Sequence, residues 1–176
     1  MKRIPLSFIN ELTRLSWAEA AWGFHNQYID WSDVVDMACD CLADNEDESI
    51  VLEIAGLSKS EASEAGQLLD KLVAKAIDGD EKALKAKWLY LSLAWLFENR
   101  ASSPDPLEAV EELYSDFDYP EDVAQFVRYM PVTDGYDPSA HSTEENHSRL
   151  LSKWRSYLDV KSPTFAACSK PTSGSR

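Results

Sequence analysis

The residues best able to do chemistry are few. Glu144 and His147 form an E-x-x-H pair, the spacing that di-iron helix bundles use twice to bring a carboxylate and an imidazole onto one face. No second copy occurs, and the pair falls where a polar loop becomes a solvated helix, so half of such a site is missing. Cys39 and Cys41 lie two apart in a helical pattern and point to different faces, which suits neither a bridge nor a zinc site. With Cys168 they make an odd number without a disulfide framework, and they read as buried small hydrophobes. His25, beside Phe24 at a helix end, reads as a cap or packing residue. Nucleophilic catalysis needs a base positioned by a third group, and no serine or cysteine stands in a recognisable elbow. Neither a G-x-x-x-x-G-K nor a G-x-G-x-x-G phosphate loop occurs. Carboxylate pairs such as Asp116 with Asp118, or Glu111 with Glu112, are too abundant to nominate one as catalytic. The expectation is a binding protein, not an enzyme, with no metal and no cofactor.

Charge is more informative. The chain of 176 residues carries a net charge of -14, with a pI near 4.5. A phosphate-tracking face needs lysine and arginine, so direct nucleic-acid binding is disfavoured, whereas a basic partner is favoured by complementary potentials. No lysine or arginine occurs between Arg14 and Lys59, a stretch holding Asp30, Asp33, Asp36 and Asp40. A second base-free stretch, between Arg100 and Arg128, holds Asp105, Glu108, Glu111, Glu112, Asp116, Asp118, Glu121 and Asp122. Like-signed blocks repel themselves in a compact domain, so two of them invite a reason. Asp33, Asp36 and Asp40 share a helical face, and near Glu108, Glu111 and Glu112 they would form one broad anionic patch; separate solvated faces are the alternative. The most apolar run, "WLYLSLAWLF", is half the length a bilayer demands, and acid, Asn and Arg interrupt the N-terminus before a signal core can form. Cytoplasmic residence is the expectation.

The elements that must position these charges read as helices. Leu6, Ile9, Leu12 and Leu15 recur at helical spacing after Pro5. "SWAE" (Ser16–Glu19), "SKSE" (Ser58–Glu61) and the Ser142/Glu145 pair are capping boxes, and Asp105 caps a helix with Pro106 in its first turn and Glu108 as return partner. "SIVLEIAGL" mixes strand and helix formers and is assigned to helix. The helix ending near Asn99 is apolar nearly all round, which marks it as the core element. Pro120 is expected to open another helix, with Val123, Phe126, Val127 and Met130 at i, i+3, i+4 and i+7. The fold class is therefore all-α: a single compact domain of about eight helices around one apolar central helix, spanning residues 1–159. Residues 160–176, rich in Ser, Pro and Lys, are expected to be a loose tail.

The stretches "LYSDFDYPEDVAQFVRYMP", "LSWAEAAWGF" and "KWLYLSLAWLFENR" resemble a bacterial family catalogued as domain of unknown function 2247. Its members look like immunity proteins of contact-dependent growth inhibition and related polymorphic-toxin systems. That resemblance implies a protein that binds and neutralises a cognate toxin domain, often a basic RNase or DNase, and it implies no catalytic residues. An acidic inhibitor can occupy a basic cleft in place of nucleic acid. The pool expected to contain the toxin contacts is Asp33, Asp36, Asp40, Glu108, Glu111, Glu112, Asp116 and Asp118. An acidic helical adaptor or nucleic-acid mimic for another basic protein is the alternative. The aromatics between Tyr114 and Pro131 are expected to belong to the scaffold, with Arg128 pairing internally with Asp118 or Glu121.

Overall fold

Polar caps and apolar stripes divide the chain as the pattern suggests. The computed structural model describes residues 3–43, 49–74 and 80–166, and within them lie eight α-helices and no strand. They are α1 (Leu6–Leu12), α2 (Trp17–His25), α3 (Trp31–Ala43), α4 (Ser49–Ala55), α5 (Ala65–Ala74), α6 (Glu81–Glu98), α7 (Pro106–Asp116) and α8 (Thr143–Phe165). Short 3-10 turns cover Lys59–Glu64, Arg100–Ser102, Ala124–Phe126 and Pro138–Ala140. The boxes at Ser16/Glu19 and Ser142/Glu145 are closed in both directions, satisfying amides that a helix start leaves without partners. Glu61 accepts from the amide and the hydroxyl of Ser58, but this box opens a 3-10 turn, and α5 begins only at Ala65.

Helix α6 is the axis. Lys87 through Ala94 and Phe97 are all buried; α2, α7 and α8 pack directly on it, while α3, α4 and α5 pack on one another and join the rest chiefly through the α2–α5 contact. Its Trp88 sets the close approach of α2: a methyl group on Gly23 would fall inside the Trp88 indole, so only glycine admits that ring. The indole N–H donates to the Glu19 carbonyl at 2.9 Å. Close by, the buried Lys87 ammonium donates to Glu19 Oε2 at 2.8 Å and to the Arg14 carbonyl at 2.9 Å. Helix α2 closes in a Schellman motif, with Tyr28 N–H on the Gly23 carbonyl, Gln27 N–H on the Phe24 carbonyl and Gln27 at φ 65.

The structure corrects three expectations. The segment after Pro120 is a run of i→i+3 turns, not an α-helix: Val123, Phe126, Val127 and Met130 each donate to the carbonyl three residues back. Val123, Phe126 and Val127 are still buried, because a spacing of three serves either helix type. The Arg128 amide turns to Glu111 Oε1 instead, and Pro131 disfavours helical geometry at Met130. The expected tail from Val160 is helical as far as Phe165, since Phe165 stacks on Tyr90 at 5.0 Å and Lys161 pairs with Asp122 at 2.7 Å. Residues 167–176, including Cys168, lie outside the described residues. Cys39 is exposed and Cys41 half-exposed; Val34 and Ala38 carry the buried apolar seam of α3.

Candidate interaction surface

Helix α7 and the segment after it make a corner whose geometry is set by one arginine. Asp105 caps α7 by accepting from the amides of Leu107 and Glu108 through Oδ1, at 3.1 Å each. Its other oxygen receives Arg128 Nη1 at 2.6 Å, while Glu111 takes the same guanidinium in a fork, Nε at 2.8 Å and Nη2 at 2.9 Å. The two-sided match of planar fork to carboxylate is strong and directional, and it raises the Arg128 pKa well above its ordinary value, with Glu111 the larger cause and Asp105 the next partner. The Asp105 carboxyl is lowered despite its desolvation by bonds from Arg128 and from the capped amides. Arg128 thus clips the start and middle of α7 to the returning chain. Its partners are Asp105 and Glu111, not Asp118 or Glu121: the guanidinium reaches back along α7, away from the turn at the C-terminal end of that helix.

The end of α7 turns sharply. Asp118 N–H donates to the Ser115 carbonyl and Tyr119 N–H to the Tyr114 carbonyl, a second Schellman closure. Asp118 at φ 62 and Tyr119 at φ 57 both occupy the left-handed region; aspartate tolerates it, and tyrosine seldom does. Pro120 comes at once after them. The consequence is that Tyr119 is thrown outward with 60% of its surface exposed, as is Tyr129 on the returning segment. Between them Tyr114 is buried, its hydroxyl donating to Met130 Sδ at 3.7 Å. The expectation that these aromatics all serve the scaffold holds for Tyr114, Phe117 and Phe126, and fails for Tyr119 and Tyr129. The backbone geometry that exposes them is not a property of side-chain spacing.

Beside this corner runs a cleft of about 1060 Å³ between α6, α8 and the turn. Its floor is apolar, from Leu89, Phe117, Tyr157 and Phe165, and its rim carries Lys85, Lys161, Asp118, Glu121 and Asp122. Lys85 is held by Asp118 at 3.0 Å and Glu81 at 3.4 Å. Elsewhere on α8, the loop after Pro131 is strapped down through Asp134, which meets Arg149 and Lys153. Tyr136 lies between the His141 ring, at 4.6 Å, and the Arg149 guanidinium, at 4.1 Å. Its hydroxyl donates to Asn146 Oδ1 at 2.7 Å.

Residues 6–162 match the model of a family described as an uncharacterized protein conserved in bacteria (DUF2247). The chain belongs to that family. No curated protein and no solved structure matches it. The matched span takes in the whole Arg128 corner and both walls of the turn, and stops short of Phe165.

The acidic residues separate into two groups. Asp33 is buried, accepts from the Asp30 amide at 2.9 Å and faces Arg3, so it belongs to the start of α3; burial raises its pKa. Glu111 belongs to the Arg128 clamp, and Asp118 to Lys85. Asp36, Asp40, Glu108 and Glu112 are exposed and take no ion pair among the described residues. Asp116 is exposed at the end of α7, near enough to the buried Tyr28 phenol to help burial push it up to about 12. The two acidic helices do not pack on one another in force: α3 packs chiefly on α4, and α7 chiefly on α6. Glu108, Glu111, Glu112 and Ser115 do share one face of α7, by their three- and four-residue spacing, and that face leads to Tyr119. Among the described residues no three His, Cys, Asp or Glu side chains come together as a metal site. His25 Nε2 instead meets Asp70 Oδ1 at 2.8 Å, tying α2 to α5.

Proposed function

We propose that this protein is an immunity-type inhibitor that binds a basic toxin domain, a ribonuclease or deoxyribonuclease, and covers the cleft that would hold nucleic acid. The observation that carries this reading is the outward face of α7, where Glu108 and Glu112 stand exposed without an internal ion-pair partner among the described residues. The nearby Arg128 cannot neutralise that face, because it is committed to Asp105 and Glu111. Carboxylates on a rigid helix present the same sign of charge as a phosphate backbone. Complementary potentials of this sort speed encounter more than they tighten the final complex. Membership in a bacterial family and the net charge of -14 are consistent with the same role. The face of α3 bearing Asp36 and Asp40 is a separate anionic surface that steers a basic partner without touching it.

The test is a nuclease protection assay with a basic nuclease toxin domain, taken from any large secreted toxin whose gene is found next to this one. Stoichiometric protein is expected to abolish cleavage. Glu108→Lys with Glu112→Lys is expected to slow association at least tenfold at low salt, with the difference shrinking as ionic strength rises. Association and inhibition that are indifferent both to salt and to this charge reversal refute electrostatic capture. Binding without loss of nuclease activity identifies an acidic adaptor instead.

A further inference from the structure

Exposed large apolar side chains are rare on this protein, and two of them meet at one corner. Among the described residues only Leu52, Tyr119, Tyr129, Val132 and Val160 are large hydrophobics with open surfaces. Tyr119 and Tyr129 flank the buried Tyr114, with ring centroids 5.3 Å and 6.3 Å from it and planes turned by 82° and 57°. The three rings therefore form an open corner instead of a stack. The Tyr129 phenol is pushed upward by desolvation, with further contributions from Tyr114, Tyr119 and the Glu111 carboxylate. The Tyr119 hydroxyl lies 3.4 Å from Ser115 Oγ, which fixes its ring over the last turn of α7.

We propose that Tyr119 and Tyr129, held against the buried Tyr114, form a docking point for an arginine or lysine side chain presented by a protein partner. Aromatic faces carry negative potential and attract cations within about 6 Å of the ring. The protein's own cations leave these faces open. Among the described residues, cation–ring contacts fall on Phe97, Tyr136 and Tyr157, and none on this corner. Arg128, adjacent to Tyr129 in the chain, is turned away into Asp105 and Glu111. Lys85 is spent on Asp118 and Glu81. Glu108 and Glu112 share the face of α7 that carries Ser115, whose hydroxyl meets Tyr119, so their carboxylates add negative potential on that side of the corner. Exposed tyrosine with few rotatable bonds is the residue type that anchors protein interfaces. The outward placement of Tyr119 rests on a left-handed backbone that tyrosine seldom adopts.

This inference rests on the proposed function only in the basic character of the partner, and its test needs no toxin. The full chain, labelled with ¹³C in its tyrosine rings, is titrated with an end-blocked peptide alternating arginine and glycine. A parallel titration uses the same peptide with citrulline, which keeps the shape of arginine and loses its charge. Saturable shifts of the Tyr119 and Tyr129 rings with the arginine peptide, at least tenfold weaker with citrulline, support the proposal. Tyr129→Ala and Tyr119→Asn, the latter chosen because asparagine tolerates the left-handed backbone, are each expected to weaken binding about two- to fivefold. Tyr→Phe at either position retains the ring face and is expected to retain binding. Shifts confined to Tyr28, Tyr90, Tyr136 or Tyr157, binding unaltered in both ring-removing variants, or no shift at all overturn it. Failure of nuclease protection with this result intact refutes the toxin reading and leaves the cation site standing.

Discussion

Replacing Lys87 with methionine tests whether the ion pair under α2 is a structural keystone. The ammonium is nearly buried, with 11% of its side chain exposed against 19% for Glu19. It supplies one bond to Glu19 Oε2 and one to the Arg14 carbonyl. Methionine fills much the same volume but leaves the Glu19 charge in a largely buried site where, among the described residues, the Ser16 amide at 2.7 Å is its remaining hydrogen-bond donor. Removing one partner of a buried pair costs about 3–5 kcal/mol, and the residual exposure of Glu19 places this case near the lower end, about 3 kcal/mol. With a urea slope of about 2 kcal/mol per molar, the unfolding midpoint should fall by roughly 1.5 M. The double variant Glu19→Gln with Lys87→Met removes both charges, and the amide oxygen of glutamine can still close the capping box. It is expected to recover at least about 1 kcal/mol of the single variant's loss, because a neutral pair escapes the desolvation cost. Equilibrium urea unfolding followed by circular dichroism measures both. A loss below about 1 kcal/mol for Lys87→Met, or a double variant no better than the single one, refutes the reasoning.

Local geometry sets three further outcomes. Gln27→Gly should stabilise the fold by about 1 kcal/mol, read as a rise of roughly 2–4 °C in Tm, because Gln27 at φ 65 fills the left-handed position where glycine is unstrained. Gly23→Ala should destabilise by about 3 kcal/mol in urea unfolding, since Trp88 is held by its bond to the Glu19 carbonyl and cannot step aside for a methyl group. Asp134 is lowered to about 2 from its ordinary 3.8, chiefly by Lys153 and also by Arg149. Its depressed folded pKa means that its contribution is present above 3.8 and disappears as pH falls toward 2. The stability of Asp134→Asn measured across that window should therefore fall less steeply than that of the parent protein.

The corner around Arg128 shows how far patterns reach. Asp105 followed by Pro106 announces a helix start in the sequence, and the structure places the cap there. The same sequence offers Arg128 nearer acids in Asp118, Glu121 and Asp122, and nothing in their order selects Asp105 and Glu111, which lie 23 and 17 residues back. Val123, Phe126 and Val127 read as core from their spacing and are core, yet the helix inferred from them is a run of tighter turns, because burial is indifferent to whether the amide bonds three or four residues back. Asp33, Asp36 and Asp40 share a helical face in sequence, but Asp33 is drawn in by Arg3 and the Asp30 amide while the other two remain outside.

What the sequence determined by itself is therefore local: the capped helix starts, the apolar face of each helix, the core role of α6 and the acidic blocks. These arise from interactions between residues a few positions apart, whose geometry a helix fixes. Only the tertiary structure decided which carboxylates are spent and which are free, that α8 continues to Phe165 against Tyr90, and that Tyr119 and Tyr129 face outward. Those outcomes depend on partners brought from distant parts of the chain and on two consecutive left-handed residues, and no spacing rule encodes either.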